Sequence, residues 1–272
     1  MKNDSSLSRR IRVALRESTS QWRPLPNLLI LGGQKCGSTS LFNYLIEHPA
    51  VRRGRTKEVH FFDLQFASGE RWYRAQYPLS RRESGVICPD ATPYYLFSPR
   101  CAERAAQIVP DAKLIALLRC PVERAYSQYR HSFSRGYEQR TFSDAIREEM
   151  QQIDPTQPLA AFSGESAEQH RQQSFVRRGI YAPQLRAWLG HFPREQLLLL
   201  DANDFFAETG KAMRKVTDFL GIAPLNRDFT KVFKKGTPGS GTEPEDETRL
   251  RDFYAPYNAQ LVELMGFKPS WT

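Results

Sequence analysis

The segment from Gly32 to Ser40 has the composition of a loop that binds phosphate. It reads Gly32-Gly33-Gln34-Lys35-Cys36-Gly37-Ser38-Thr39-Ser40. Glycine lets the backbone approach an anion, successive N–H groups and a helix N-terminus attract negative charge, and Lys35 adds a point charge. The segment therefore predicts chemistry on a phosphorylated ligand. A glycine-rich turn with a helix cap at Ser38 is the simpler alternative.

The order of residues differs from that of the loop that binds nucleoside triphosphates. In that loop the lysine follows the last glycine and precedes a hydroxyl that binds magnesium, whereas Lys35 lies two residues before the last glycine. The apolar run Leu114–Leu118 ends in Arg119 rather than in a metal-binding aspartate, although the run Leu197–Leu200 leads into Asp201. A magnesium-dependent nucleotide kinase is therefore the weaker enzymatic hypothesis, and we predict no metal site.

A second segment, residues 57–63, combines carboxylates with an imidazole. It reads Lys57-Glu58-Val59-His60-Phe61-Phe62-Asp63. Alternation of polar and apolar side chains predicts that Glu58 and His60 share one face while Val59 and Phe61 are anchored in the core. Beside a phosphate loop, Glu58 is a candidate general base, and His60 would orient it or stabilise charge. The alternative is an exposed charged turn before a pair of core aromatics.

A third segment, residues 114–127, places an arginine at the end of a predicted strand. Arg119 follows the apolar run directly, and open α/β sheets bind ligands at the carboxyl ends of their strands. Pro121 suits the first turn of a helix, and Ser127 lies about two turns further on. Arg119 and Ser127 could donate a charged and a neutral hydrogen bond to one phosphate. We predict that Arg124 is a solvated or ion-paired helix residue.

The elements that position these segments are short apolar runs that alternate with helical patterns. Strands are predicted at residues 28–31, 86–88, 114–118 and 197–200. Helices are predicted after the phosphate loop as far as Pro49, and at about 99–108, 122–133, 141–152, 181–191, 209–220 and 245–265. Strands joined by crossover helices predict an α/β fold with a central parallel sheet flanked by helices.

We predict one domain, residues 27–272, preceded by a basic arm, residues 1–26. Residues 153–174 are polar and broken by proline and glycine, which predicts a mobile loop or an irregular lid. A second soft stretch covers residues 234–247. Neither stretch marks a domain boundary, because the flanking helices need the same sheet.

The net charge favours an anionic partner without naming it. Lysine and arginine number 39 against 30 acidic residues, which gives +9. The arm holds six basic and two acidic residues, so about half of the excess lies in a segment predicted to be a solvated, partly helical tail. A nucleic-acid-binding module that uses this arm is the non-enzymatic hypothesis, but it leaves the phosphate loop unexplained.

The composition excludes several classes of protein. The chain has 272 residues, of which 40% are hydrophobic and 12% aromatic, so disorder and collagen-like repeats are excluded. The apolar stretches are far shorter than the roughly 18 residues of a membrane-spanning helix, and the arm lacks the apolar segment of a secretion signal. Four widely spaced cysteines are predicted to be free thiols in a reducing compartment; they are Cys36, Cys88, Cys101 and Cys120.

Together, the three segments resemble the sulfotransferases that use 3′-phosphoadenosine 5′-phosphosulfate (PAPS). The similarity is greatest to the branch with the heparan sulfate and other glycosaminoglycan enzymes and their bacterial relatives. Weaker matches extend the resemblance from about Asn27 to Trp271; they are Asp90-Ala91-Thr92-Pro93-Tyr94-Tyr95, Arg178-Gly179-Ile180-Tyr181 before Trp188, and Lys235-Gly236-Thr237. This resemblance implies in-line transfer of a sulfuryl group from PAPS to a hydroxyl group of an acceptor, with 3′-phosphoadenosine 5′-phosphate (PAP) as the product.

The resemblance also implies roles for individual residues. Glu58 would be the base, with His60 and Asp63 beside it, and Lys35 would contact the bridging oxygen of the phosphosulfate. The predicted cofactor-binding residues are Gln34, Lys35, Cys36, Gly37, Ser38, Thr39 and Ser40 at the 5′ end, Arg119 and Ser127 at the 3′-phosphate, and Tyr181, Lys235 and Gly236.

Departures from the family's pattern concern the acceptor. The heparan sulfate 3-O-sulfotransferases that this chain resembles place arginine at the positions of Gln34 and Thr39, and lysine at that of Ala91. Their absence weakens the case for a heavily anionic acceptor, and the loop is closer to that of the N-sulfotransferases. We expect a carbohydrate acceptor first, and a small natural product or an amine as alternatives. Golgi relatives have an N-terminal membrane anchor that this chain lacks, which favours a cytoplasmic, bacterial enzyme.

Overall fold

A parallel four-stranded sheet forms the centre of the molecule. The computed structural model describes residues 13–79, 85–98, 100–160, 164–229 and 242–272. In these ranges the strands are β1 (Leu28–Ile30), β2 (Pro89–Asp90), β3 (Lys113–Leu118) and β4 (Leu197–Asp201), in the order β2-β1-β3-β4. Leu28 of β1 lies opposite Lys113, and Leu114 of β3 lies opposite Leu197. The predicted α/β fold with a parallel sheet is confirmed.

Helices cover both faces of this sheet, because its strands are apolar on both sides. Leu29 and Leu114 pack into one cluster with Trp188, whereas Ile30 and Ile115 pack into a second cluster on the opposite face. The helices are α1 (Ser38–Leu45), α2 (Gly69–Ala75), α3 (Tyr94–Phe97), α4 (Cys101–Ile108), α5 (Pro121–Phe133), α6 (Phe142–Gln152), α7 (Ala167–Gln173), α8 (Tyr181–Leu189), α9 (Ala202–Ala207), α10 (Thr209–Leu220) and α11 (Pro244–Met265).

The strand order explains where the functional segments meet. From the central strand β1 the chain passes to β2 on one side, whereas β3 pairs with the other side of β1 and leads on to β4. The loops that leave the carboxyl ends of β1 and β3 therefore diverge and open a crevice, the usual ligand position in such sheets. The phosphate loop and Arg119 both lie at this crevice.

Several predicted boundaries are corrected by the structure. The strand predicted at 86–88 is displaced, because Ile87 forms an isolated bridge with Val51 and pairing with β1 begins at Pro89. The stretch 153–174 contains helix α7, which begins with a capping box between Ser166 and Gln169. The stretch 234–247 is helical from Pro244, and its residues 234–241 lie outside the described part of the chain. Helices α2, α3 and α9 were not predicted.

From residue 13 onward, the N-terminal arm packs against the domain instead of forming a solvated tail. Arg16 donates to the carbonyls of Ala75 and Tyr77, and the buried Arg23 donates to the carbonyl of Tyr77 at 2.7 Å. Arg74 in turn donates to the carbonyl of Arg23 at 2.8 Å. The solvated tail is therefore wrong for residues 13–26, while residues 1–12 lie outside the described ranges and the division of the chain at residue 26 stays a prediction.

Two further expectations concern buried side chains. Arg124 is wholly buried and donates to Gln128 Oε1 at 2.6 Å and to the carbonyl of Phe175, so a solvated or ion-paired Arg124 is wrong. All four cysteines are buried free thiols, as predicted. Among the described residues, no helix combines the length and the apolar character needed to cross a bilayer.

Candidate active site

The phosphate loop is a sharp turn between β1 and α1. Gly37 caps α1 with φ 102°, and Lys35 is left-handed at φ 71°. A Cβ atom at Gly37 would lie 2.8 Å from the Phe206 ring, so only glycine allows this close approach. The backbone N–H of Gly33 donates to the carbonyl of Leu117 at 2.9 Å, which fixes the loop to the end of β3.

The loop forms one wall of a cavity of about 380 Å³ at the carboxyl ends of β1 and β3. The structure brings Glu58, Arg119 and Ser127 to the other walls of this cavity. Three segments that are far apart in the sequence thus converge on one site, as predicted. The loop residues that line the cavity are Gln34, Lys35, Gly37, Ser38, Thr39 and Ser40.

Part of the cavity lining comes from Arg119 and the exposed side of α5. The guanidinium of Arg119 donates to Glu123 Oε2 at 2.6 and 2.8 Å, and Ser127 lies one turn after Glu123. His131 and Arg135 continue the same line of residues along the cavity wall. Together these residues present two arginines, an imidazole and a hydroxyl to the cavity, and the Glu123 carboxylate is the partner of Arg119.

A second group of polar side chains in this cavity surrounds Glu58. Glu58 Oε1 accepts a hydrogen bond from Lys57 Nζ at 3.1 Å, and Glu58 Oε2 lies 3.6 Å from His60 Nε2. The opposite ring nitrogen of His60 lies 2.7 Å from Asp63 Oδ2, and the Asp63 side chain is buried. The predicted grouping of Glu58, His60 and Asp63 is confirmed as geometry.

A left-handed residue, rather than a strand, produces this grouping. His60 has φ 55° and precedes a single π-helical turn over Phe61–Gln65. The backbone of this segment is therefore not a regular strand, but burial alternates as predicted: Val59 and Phe61 are buried, Glu58 is exposed and His60 is half-buried. Tyr95 stabilises this strained turn, because the backbone N–H of Phe61 donates to the hydroxyl of Tyr95 at 2.7 Å.

Asp90 in turn holds Tyr95 from the end of β2. Its wholly buried carboxylate accepts hydrogen bonds from the hydroxyls of Thr92 at 2.7 Å, Tyr73 at 2.8 Å and Tyr95 at 2.9 Å. Burial outweighs these hydrogen bonds and raises the pKa of Asp90 to about 6. Asp90 and its hydroxyl partners thus support the turn that presents Glu58 and His60.

Electrostatics keep Glu58 and His60 charged at neutral pH. Burial alone would raise the pKa of Glu58, but the nearby His60 imidazolium and the charge of Lys57 lower this pKa to about 2. Burial would lower the pKa of His60, but the hydrogen bond to Asp63 and the ion pair with Glu58 raise this pKa to about 9. Glu58 is therefore an ionised carboxylate whose side chain is 46% exposed, available to a proton donor in the cavity.

The raised pKa of His60 predicts a loss of folding stability above neutral pH. The folded protein keeps the His60 proton up to a pKa of about 9, whereas the ordinary histidine pKa is 6.5. The stabilising contribution is complete below pH 6.5 and disappears as pH rises to about 9, on the order of 2 kcal/mol after a discount for partial exposure. Urea unfolding between about pH 6 and pH 10 measures it. A His60→Gln variant should lack this slope, and an equal slope in the variant would contradict the assignment.

Not every predicted cofactor residue lines the cavity. Tyr181 is buried behind the loop, where its hydroxyl donates to the carbonyl of Arg119 at 2.9 Å and lies 3.8 Å from Cys36 Sγ. Burial raises the pKa of the Cys36 thiol to about 11, so the thiol is neutral. Both side chains support the loop from within, and direct cofactor contact stays a prediction. Lys235 and Gly236 lie outside the described residues.

Sequence reasoning missed some residues of the cavity wall. His131 and Arg135 follow Ser127 at intervals of four, the spacing of one helical face, so extending that face by two turns would have found them. Lys57 lies in the segment 57–63, in which roles were predicted only for Glu58, His60 and Asp63. Phe206 reaches the cavity from α9, and no local pattern indicates this contact, because it depends on how α9 packs against the loop.

Asp201, the one acid noted at a strand end, has a structural role. Its Oδ1 accepts from the backbone N–H of Asn203 at 2.8 Å, capping α9, and its Oδ2 accepts from that of Ser270 at 2.7 Å. Among the residues that the structure describes, no three His, Cys, Asp or Glu side chains are grouped to hold a metal ion.

Substitution of Arg119 tests whether this part of the cavity lining binds a phosphate. We expect Arg119→Ala to weaken binding of PAP by at least about tenfold, because a hydrogen bond to a charged group contributes about 1.5–3 kcal/mol. Isothermal titration with PAP measures the affinity. Arg130→Ala removes an exposed arginine from the neighbouring helix α5 and should leave the affinity nearly unchanged. Equal affinities in the wild type and Arg119→Ala would remove Arg119 from the phosphate site.

Comparison with known families gives an independent result. The sequence profile of the family described as "Sulfotransferase domain" matches residues 25–237. Human heparan sulfate glucosamine 3-O-sulfotransferase 3B1 is 30% identical over 277 residues, which cover 93% of this chain and 67% of that protein. Human bifunctional heparan sulfate N-deacetylase/N-sulfotransferase 3 is 27% identical over 281 residues, which cover 91% of this chain and 31% of that protein.

Solved structures show the same likeness. A sulfotransferase from Alicyclobacillus acidocaldarius has a TM-score of 0.69 at 25% identity, covering 91% of this chain and 98% of that one. A mouse sulfotransferase complexed with PAP has a TM-score of 0.52 at 14% identity, covering 93% of this chain and 91% of that one; at this identity the likeness concerns the fold alone.

Proposed function

This chain belongs to the sulfotransferase family, and on that premise we propose that it transfers a sulfuryl group from PAPS to a hydroxyl group of a carbohydrate. The observation that supports this most directly is the cavity itself. Lys35 and Glu58 line the same space as Arg119 and Ser127. A cation and a carboxylate thus share one cavity with an arginine and a hydroxyl that could hold a second anionic group.

The residues present fit PAPS, a ligand with anionic groups at two positions. The left-handed Lys35 and Gly37 curl the loop around the start of α1, where helix N–H groups attract an anion. Arg119 and Ser127 provide charge and a hydroxyl at the second position. When bound, PAPS supplies an activated sulfuryl group whose leaving group is a phosphate.

Glu58 is the residue best placed to take the acceptor proton. Its carboxylate is ionised and opens into the cavity, while Lys57 and His60 each hold one of its oxygens. Such a low pKa makes Glu58 a weak base in the resting enzyme. Proton transfer is therefore expected late, when the acceptor oxygen has become more acidic.

Lys35 and the start of α1 stabilise the opposite charge. Negative charge develops on the leaving phosphate, and a preorganised cation and N–H groups stabilise that charge without reorganising. The turn at Gly37 fixes this arrangement, because its φ of 102° is a conformation that residues with a side chain rarely adopt. Lys35 and Glu58 thus serve the two ends of one in-line displacement.

The names of the relatives bear on the acceptor. The 3-O-sulfotransferases act on heparan sulfate glucosamine, and the bifunctional relatives are N-sulfotransferases, so a glucosamine-containing oligosaccharide is the acceptor that we propose. This chain spans about two thirds of the length of the 3-O-sulfotransferases. Transfer to an amine is the second candidate, supported by the Gln34-Lys35-Cys36-Gly37-Ser38-Thr39 form of the loop, which resembles that of the N-sulfotransferases.

Turnover with labelled PAPS tests the proposal. Acceptors should include glucosamine oligosaccharides with N-acetylated, N-sulfated and free amino groups, and small phenols as a non-carbohydrate comparison. We expect label in an oligosaccharide, and its position separates hydroxyl from amine transfer. Transfer to none of the acceptors would contradict the acceptor class. PAP at about 100 times its dissociation constant should stabilise the fold by about 2.7 kcal/mol, and no shift in melting temperature would contradict the cofactor site.

A further inference from the structure

Arg178 is a buried cation directly behind the phosphate loop. It is 4% exposed, its Nη1 donates to Gln34 Oε1, and its Nη2 donates to the carbonyl of Arg171. The guanidinium carbon lies 4.9 Å from the ring centroid of Tyr94 and 5.1 Å from that of Phe97. Arg178 thus connects the loop to α3 and α7.

The neighbouring arginine shows what is unusual about Arg178. Arg177 is equally buried, and it pairs with the carboxylates of Glu149 and Glu165. Within the described ranges, no carboxylate lies within 4.0 Å of the Arg178 guanidinium, and burial lowers the pKa of Arg178 to about 9. Burying a cation without an anionic partner costs folding free energy, so the contacts that Arg178 makes instead need an explanation.

The contact with Gln34 determines which way the amide of that side chain faces. A guanidinium has only donors, so it can accept nothing from the Gln34 NH₂ group and must face Oε1. Gln34 lines the cavity beside Lys35, and its NH₂ group is the polar end that remains for a ligand. Rotating the amide would place NH₂ against the guanidinium and lose the hydrogen bond.

Aromatic packing keeps Arg178 in place. The ring of His170 stacks on Phe97, with centroids 4.6 Å apart and planes at 15°, and its Nδ1 lies 2.8 Å from the hydroxyl of Tyr94. The two rings that flank Arg178 are therefore themselves held by α7. The guanidinium has a fixed position from which to orient Gln34.

We propose that Arg178 is a positioning residue that directs the Gln34 NH₂ group into the cavity, where it donates a hydrogen bond to the sulfuryl oxygens of PAPS. The inference rests on the cofactor site of the proposed function. It makes a prediction about binding alone, because PAP lacks the sulfuryl group. The affinity for PAPS relative to PAP therefore reports the contact without any acceptor.

Calorimetric titration of Gln34→Met, Arg178→Lys and the double variant with PAPS and with PAP tests the inference. Gln34→Met removes the donor, so the preference for PAPS over PAP should fall about tenfold or more. Arg178→Lys replaces a forked, ring-stacked guanidinium by a compact ammonium on a shorter side chain, which withdraws the donor from Gln34 Oε1. It should therefore cause a similar loss, and the double variant should lose no more than Gln34→Met alone. Arg177→Lys is the matched control: it disturbs an equally buried arginine and should lower the melting temperature without changing the preference.

Two outcomes would overturn the inference. An unchanged preference in Gln34→Met shows that the amide does not contact the sulfuryl group, and losses that add in the double variant show that Arg178 does not act through Gln34. If Arg178→Lys fails to fold, Gln34→Asn replaces it in the test. The shorter amide of asparagine no longer reaches the guanidinium, while Arg178 itself is unchanged. A wild-type preference in Gln34→Asn would also overturn the inference. Failure to find an acceptor leaves these binding results unaffected, so the two proposals fail separately.

Discussion

Glu58→Gln is expected to lower the rate of sulfuryl transfer by a factor of about 10² to 10⁴, the usual contribution of a positioned base. Glutamine has nearly the same shape as glutamate and can still accept from Lys57, but it cannot take a proton from the acceptor. Affinity for PAP should change little, because the proposed partner of Glu58 is the acceptor and not the nucleotide. Rates with labelled PAPS, with PAP titration alongside, measure the two quantities.

The matched control is Glu70→Gln. Glu70 has the same side-chain exposure as Glu58, 46%, and likewise pairs with a basic residue, Arg74, but it does not line the cavity. This variant should transfer sulfuryl groups at the wild-type rate. A Glu58→Gln enzyme with near-normal turnover would remove Glu58 from the role of base, and equal losses in both variants would indicate a general effect of charge.

Lys35→Met is expected to lower turnover by about 10² to 10³, the effect of removing one preorganised charge from a transition state. The charge on the leaving phosphate grows during the reaction, so the loss should be larger in kcat than in affinity for PAP. Lys35→Arg retains a cation and should recover part of the rate. Steady-state kinetics of both variants provide the measurement.

A surface lysine provides the comparison for Lys35. Lys211 is 64% exposed and pairs with Glu208 outside the cavity, so Lys211→Met should leave kcat and PAP affinity unchanged. If Lys35→Met weakened PAP binding and kcat by the same factor, Lys35 would act in binding alone. The assignment to the developing charge would then be wrong.

The sheet, most of the helices and the phosphate loop were predictable because their signals are local. Leu114–Leu118 is a continuous apolar run, typical of a strand buried on both faces, and the structure has β3 at Lys113–Leu118. Helix α10 has the predicted bounds, 209–220, and its last turn ends at a left-handed glycine, Gly221. The sequence also indicated that Arg119 and Ser127 share one site, since Arg119 follows a strand directly and Ser127 lies about two helical turns further on; both line the cavity.

The remaining features depend on contacts between distant parts of the chain. His60 adopts its left-handed conformation because Tyr95 and Asp90 hold the turn from another strand end, and nothing in residues 57–63 signals it. In the sequence, Arg178 stands out only as part of the motif Arg178-Gly179-Ile180-Tyr181. Its burial depends on α7, which lies in a stretch expected to be irregular. Arg124 looks like a surface residue by type and is wholly buried.

The ion pair between Arg119 and Glu123 has a kinetic consequence. Because Glu123 holds the guanidinium at 2.6 Å, a phosphate that binds at Arg119 as proposed would exchange one anionic partner for another and would not have to order a free side chain. The same carboxylate would recapture Arg119 as the phosphate departs. Such an exchange would lower equilibrium affinity and speed dissociation, and release of the spent nucleotide limits turnover in many enzymes.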